Sequence, residues 1–278
     1  MPDKIAVITG TSSGIGLLST IELAKAGFRV VASMRDPGRR SRLDEEAAQA
    51  GVGVQLDVRR LDVTEFDSLP RFVEGVVRDH GRIDVLINNA GIAVGGFGED
   101  VTLQELRLQL ETNFFAQVAL TRAVIPVMRK QTSGHIIMVS SIGGLRSAPA
   151  IGSYNASKFA LEGWSEALRL ELNALGIKVV LVEPGSFQTG IWNSAVLAQK
   201  FVDGTSPNHE LGVRLRKRVQ QLPKGDPIEV ARVIARVAQD PNPRLRYIVG
   251  GRAHLELWLK RILPWKWHER LVGRVLGE

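Results

Sequence analysis

The sequence predicts one α/β domain, a doubly wound parallel sheet of about seven strands with helices on both faces. Three observations predict it. Short β-branched runs alternate with longer amphipathic stretches along the chain. The short runs are apolar throughout, as in strands buried on both faces. A glycine-rich turn joins the first strand to the first helix, where sheets of this kind meet their ligands.

Each element follows in order. Ile5-Ala6-Val7-Ile8 is an apolar run ending at Thr9-Gly10, and helical periodicity runs over 15–26 until Gly27. A second strand covers Phe28-Arg29-Val30-Val31-Ala32-Ser33. Then come a strand near 53–62, a helix over 65–79, a strand over 83–88 and a long helix over 102–131. A strand over 135–140, a helix over 153–175 and a strand over 177–183 follow. A further helix starts near Pro227, and the last strand is Tyr247-Ile248-Val249. Right-handed crossovers turn this alternation into a doubly wound sheet. The whole chain, 1–278, reads as one domain. Within it 186–224 is a long excursion with the character of a lid, and 253–278 is an amphipathic extension rich in Trp and basic residues.

Composition narrows the function. The 278 residues are 44% hydrophobic and 23% charged, ordinary for a globular protein. There is no cysteine, which excludes disulfides, thiolate catalysis and cysteine-ligated metals, and fits a reducing cytoplasm. No secretory signal is evident, and no apolar run reaches the ~18 residues of a membrane span. The net charge of +7 invites a nucleic-acid reading. The basic residues look scattered, however, and no nucleic-acid motif accompanies them. The five histidines form no metal-ligand pair, so no metal is expected.

Two places carry chemistry. The turn Thr9-Gly10-Thr11-Ser12-Ser13-Gly14-Ile15-Gly16 lets backbone approach a diphosphate, at a helix N-terminus whose free N–H groups and dipole favour anions. Tyr154 and Lys158 share one helix face. A phenol has a pKa near ~10, and a neighbouring ammonium stabilises its phenolate, bringing it toward general acid–base use.

The T-G-x-x-x-G-x-G spacing resembles that of the short-chain dehydrogenase/reductase family, and three further motifs stand in register with it. They are Asn88-Asn89-Ala90-Gly91, Tyr154-x-x-x-Lys158 with Ser141 thirteen residues upstream, and Pro184-Gly185-x-x-x-Thr189. The resemblance covers about residues 4–250. It implies a Rossmann fold and an enzyme moving hydride between a nicotinamide cofactor and an alcohol–carbonyl pair. It implies that Asn113, Ser141, Tyr154 and Lys158 are catalytic: Ser141 rather than Ser140 holds the substrate oxygen, and Asn113 holds a water linking Lys158 to solvent, unless it is simply a satisfied helix asparagine. It places the cofactor on Gly10, Thr11, Ser12, Ser13, Gly14, Ile15, Gly16, Arg35, Asp62, Val63, Asn89, Ala90, Gly91, Tyr154, Lys158, Pro184, Gly185 and Thr189. Asp62 resembles the aspartate that contacts adenine, with Asp57 the alternative.

The end of the second strand speaks to coenzyme choice. NAD sites place an acid there for the ribose, and NADP sites place Arg for the 2′-phosphate. The acid position, near Ser33, is not acidic, and Arg35 follows, so NADP(H) is favoured. Asp36 keeps NAD(H) open, either by pairing with Arg35 or by turning to the ribose.

The segment from Tyr154 to Leu170, with Met34-Arg35-Asp36, resembles the branch containing 17β-hydroxysteroid and retinol dehydrogenases. That implies a lipophilic alcohol, ketone or aldehyde. Val94, Leu145, Phe187, Trp192 and Phe201 are candidate pocket residues, the alternative being loop packing. The tail around Trp258, Trp265 and Trp267 suits a cap over the pocket or an oligomer interface, in a homodimer or homotetramer, better than a membrane surface, because Pro264 breaks its helix. The competing functional reading is a nucleotide-binding scaffold that has lost catalysis; the presence of Ser141, Tyr154 and Lys158 argues against it.

Overall fold

The computed structural model describes residues 3–276. In chain order the elements are β1 (Lys4–Thr9), α1 (Gly14–Lys25), β2 (Phe28–Met34), α2 (Ser41–Gln49), β3 (Leu56–Arg60), α3 (Leu69–His80) and β4 (Val85–Asn88). There follow β5 (Val94–Gly95), α4 (Leu103–Leu110), α5 (Ala116–Gln131), β6 (Gly134–Val139), α6 (Gly152–Leu172) and β7 (Ile177–Pro184). The chain continues with β8 (Val196–Leu197), α7 (Gln199–Val202), α8 (His209–Gln221), α9 (Ile228–Gln239), β9 (Arg246–Val249), α10 (Gly251–Ile262) and α11 (Trp265–Leu276).

The expected doubly wound sheet is present, seven parallel strands in the order β3-β2-β1-β4-β6-β7-β9 among the described residues. Strand alternation feeds two cores. Ala6 and Ile8 of β1 join the core under α1 and α9, while Ile5 and Val7 join the core under α3, α5 and α6. Both sheet faces are therefore buried, which is why the strand runs are apolar throughout. The order reverses between β1 and β4, so the crevice for a ligand opens outside their carboxyl ends.

Three elements depart from the sequence reading. Helix α2 was not expected: it buries only Leu43 and Ala47, too thin an apolar stripe to stand out. The long helix over 102–131 is α4 and α5 joined by a π-turn, Glu111–Phe115, that widens the backbone at Asn113. The excursion 186–224 is folded, with β8 pairing with β5 and Ser206 Oγ donating to Asp100 Oδ2 at 2.7 Å.

The basic residues also prove less scattered than the sequence suggested. Residues 209–224 with 251–276 hold eleven Lys and Arg against three Glu, a balance of +8, where the whole chain carries +7. The remainder of the chain is thus nearly neutral.

Candidate active site

A cleft of about 880 Å³ runs across the carboxyl ends of the central strands. At one end the glycine turn is locked from two sides. Gly10 N and Thr11 N both donate to Ser33 O, at 2.9 and 3.2 Å. From the other side the Asn89 amide donates to the carbonyls of Thr9 and Gly10 at 2.8 and 3.1 Å. Thr9 Oγ1 accepts from the backbone N–H groups of Asn89 and Ala90. Gly10 and Gly14 have φ of +73° and +60°, a region that suits glycine. A Cβ on Gly16 would lie 2.2 Å from the Gly10 carbonyl oxygen. Helix α1 begins with no side-chain cap and no acid in its first turn, so its N–H groups are left for an anion. That cradle fits the diphosphate of a dinucleotide.

Ser12, Ser13, Gly14, Ile15 and Gly16 line the cleft beside Gly10. Thr11 does not. It is fully buried and its hydroxyl donates to Ser33 O at 3.2 Å, so it holds the turn rather than facing a ligand. Ser33 likewise points inward, its hydroxyl donating to Ile8 O at 3.1 Å. The side chains that face the cleft past β2 are Met34, Arg35, Asp36 and Arg39. None of the cleft-facing side chains at the strand end itself is acidic: Ser33 points inward and Met34 faces the cleft. Asp36 Oδ1 accepts from Gly38 N at 2.9 Å and caps the turn Pro37–Arg39, which ties its carboxylate locally.

Asp62, Val63 and Thr64 also line the cleft. Burial works against the Asp62 charge, but the hydroxyl and N–H of Thr64 donate to its carboxylate and its pKa lies below the ordinary value. Asp57 is turned to the ion pair with Arg59 and to His80, away from the cleft. Asn89, Ala90 and Gly91 form the floor, and Pro184, Gly185 and Thr189 the far wall.

At the other end of the cleft stand Ser140, Ser141, Tyr154 and Lys158. Ser141 Oγ accepts from Gly143 N at 3.0 Å, which fixes its rotamer. It faces Tyr154, while the Ser140 hydroxyl is directed at Glu162, one turn beyond Lys158 on α6. The Tyr154 ring packs against Trp192 with centroids 5.3 Å apart. Lys158 Nζ lies 5.9 Å from the Tyr154 ring centroid and donates to Val139 O at 2.9 Å. Burial raises the Tyr154 phenol above its ordinary pKa, opposed by the hydrogen bond from Ser141. Burial also lowers Lys158 to about 8, opposed by the Glu162 charge. The expected lowering of the phenol by Lys158 is therefore absent from the chain alone, because the same desolvation weakens the ammonium and penalises the phenolate.

Asn113 is fully buried and outside the cleft lining. Its Oδ1 accepts from Ile92 N at 2.8 Å and its Nδ2 donates to Ile92 O and Ser157 Oγ. These bonds brace the strand-end loop against α6.

Of the candidate pocket residues, Phe187 and Trp192 line the cleft. Val94 does not: it is buried in β5, with its N–H and carbonyl taken by Gln109 and Ser153. Leu145 lies outside too, its carbonyl accepting from Lys260 Nζ. Phe201 stacks on His209 within the excursion. Leu108 on α4, Ile191 on a loop and Val196 in β8 line the cleft and were missed, because no motif flags an isolated apolar residue there.

A search of protein families matches residues 4–200 to the short chain dehydrogenase model. The chain belongs to the short-chain dehydrogenase/reductase family. It is 40% identical over 280 residues to the oxidoreductase YusZ of Bacillus subtilis, covering 99% of each chain. It is 36% identical to a 3-ketodihydrosphingosine reductase of Bacteroides thetaiotaomicron, over 90% of this chain and 89% of that one. It is 35% identical to human retinol dehydrogenase 8, over 87% and 80%. Among solved structures, a short-chain dehydrogenase from Streptomyces avermitilis superposes with a TM-score of 0.81 at 32% identity, covering 97% of this chain and 98% of that one. A metagenomic short-chain oxidoreductase in complex with NADP gives 0.70 at 28%, over 88% and 96%. The chain is a Rossmann-fold oxidoreductase of the class that interconverts alcohols and carbonyls with a nicotinamide cofactor.

Proposed function

We propose that the chain is an NADP(H)-dependent oxidoreductase for a lipophilic alcohol–carbonyl pair, with Tyr154 as its proton-transfer residue. The observation that carries this is one continuous cleft joining the uncapped glycine turn and Arg35 to Tyr154, Ser141 and Lys158. Bound along it, the nicotinamide cofactor supplies or accepts the hydride. Tyr154 gives its phenolic proton to the substrate oxygen in reduction and takes it back in oxidation. Ser141 donates a fixed hydrogen bond to that oxygen, which strengthens as negative charge develops. Lys158, one helical turn on, keeps a positive charge near the phenolate.

Two features support NADP(H). Arg35 lines the cleft, and its neighbour Asp36 is engaged in its own turn, while Asp62 is held by Thr64. A solved relative holds NADP. The lipophilic substrate is supported by the apolar wall of Phe187, Ile191, Trp192 and Val196, and by two relatives named for lipid substrates, retinol and 3-ketodihydrosphingosine.

The test is a panel of steroid, retinoid, sphingoid and aliphatic ketones read by nicotinamide absorbance with each coenzyme. Turnover with NADPH and lipophilic carbonyls is expected; turnover with none would refute the reading. Arg35→Ala is expected to weaken NADPH binding about tenfold and NADH little, since the guanidinium has only the 2′-phosphate to lose. Equal weakening of both coenzymes would remove Arg35 from the phosphate site.

A further inference from the structure

The layer formed by α8, α10 and α11 is unlike the rest of the surface. Its three helices hold ten Lys and Arg against three Glu, a balance of +7, and they expose large apolar side chains. Trp258, Trp265 and Trp267 are 57%, 63% and 55% exposed. In α10 large apolar side chains face solvent, while the face turned to the protein mixes apolar with charged groups. The face turned to the protein carries Ala253 with Glu256, which pairs with Arg146, and Lys260, which donates to Leu145 O. The exposed stripe is Leu255, Trp258 and Ile262, at spacings of three and four. Helix α11 packs on α8, where Arg218 donates to Arg274 O at 3.4 Å and Val219 and Leu222 are exposed. Helix α11 follows α10 directly in the chain and packs on α8, and α8 belongs to the same excursion that brings Trp192 and Val196 to the cleft.

We propose that this layer docks on an anionic lipid bilayer surface, lying in the interface without crossing it. Trp with Lys and Arg is the composition that suits that boundary: indole and aliphatic groups enter the headgroup region while cations meet anionic lipid. Among the described residues, no helix is long and apolar enough to span a membrane. The charge argues against the two other partners. In a two-fold dimer this face would meet its own copy, setting +7 against +7. A nucleic acid would use the cations and leave Leu255, Ile262, Val219 and Leu222 without a partner. Bilayer docking would place the apolar end of the cleft beside a store of lipophilic molecules.

The test is flotation of the full chain with vesicles of phosphatidylcholine alone or mixed with phosphatidylglycerol, with Trp emission read in parallel. We expect about tenfold more bound to the anionic vesicles, with a blue shift of emission, and a fall in binding at high salt. Trp258→Ser/Ile262→Ser/Trp265→Ser and, separately, Arg214→Glu/Arg216→Glu/Lys217→Glu should each reduce binding about tenfold, with the thermal midpoint unchanged. Equal binding to both vesicle types, or none, overturns the proposal whatever the variants do. So does anionic binding without a blue shift that duplex DNA competes away, which would assign the face to nucleic acid. So does a sedimentation shift from oligomer to monomer in the Trp/Ile variant, which would assign it to a second copy.

Discussion

Tyr154→Phe is expected to lower kcat about 10³-fold, ~4 kcal/mol in the barrier, with the coenzyme Kd unchanged. The substitution removes one oxygen and keeps the ring against Trp192, so packing is preserved. What is lost is the proton donor to the substrate oxygen. A wild-type kcat in the variant, checked by single-turnover kinetics with coenzyme binding followed by fluorescence, would end the assignment. The pH dependence carries a sign. Burial raises the Tyr154 phenol, so the neutral acid needed for reduction persists through neutral pH. Oxidation needs the phenolate and should accelerate as pH rises, while reduction should not. Lys158, lowered to about 8, loses its proton as pH climbs through that value in the coenzyme-free chain. Its help to the phenolate should therefore fade above about pH 8 unless bound ligand retains the proton.

How much of this was legible in the sequence depends on the kind of residue. Glycines were legible because their reason is local: Gly10 and Gly14 adopt positive φ, and a side chain on Gly16 would strike the Gly10 carbonyl. The Tyr154–Lys158 pair was legible through helix periodicity, and Ser141 through its ordered neighbours and strand alternation. That Asp62 rather than Asp57 lines the cleft was legible because the helical pattern begins just after it. Residues whose place depends on distant chain were not. Thr11 and Thr9 look alike in sequence, yet each hydroxyl spends itself on a different strand end, Ser33 for one and Asn89 for the other. Val94 reads as a pocket residue until β5 meets β8 across some hundred residues of chain. Asn113 reads as part of a continuous helix, and the π-turn that aims it at Ile92 leaves no mark in periodicity. The basic layer was hidden for the same reason: its two segments are separated by α9 and β9 and become one surface only when α11 packs on α8.

The second large effect is expected at Arg246, a residue that no motif flags. Its Nε lies 3.2 Å from both Glu162 Oε2 and Glu183 Oε1, and its Nη2 donates to Glu166 at 2.8 Å. Glu183 is fully buried at the end of β7, and Glu162 is buried one turn beyond Lys158 on α6. Burial raises both carboxyls, and the Glu162 charge adds to it at Glu183, which is raised to about 8 from an ordinary 4.5, so the pair holds a proton at neutral pH. Arg246→Met leaves two buried carboxyls without their cation. It is expected to cost about 3 kcal/mol and lower the thermal midpoint by roughly 6–12 °C. The sign with pH follows from the raised values. Above about 4.5 the unfolded chain releases protons that the folded chain keeps, so stability falls with rising pH until the pair ionises near 8, then levels. Glu183→Gln removes the group that keeps the proton. Its midpoint should be flatter across that window and higher than wild type near pH 8, and in the Arg246→Met background it should recover much of the loss. Calorimetric midpoints of the four proteins between about pH 5 and 9 check this. Parallel curves for wild type and Glu183→Gln would mean that the pair does not hold the proton, and Lys158 would then face a charged Glu162 at all working pH values.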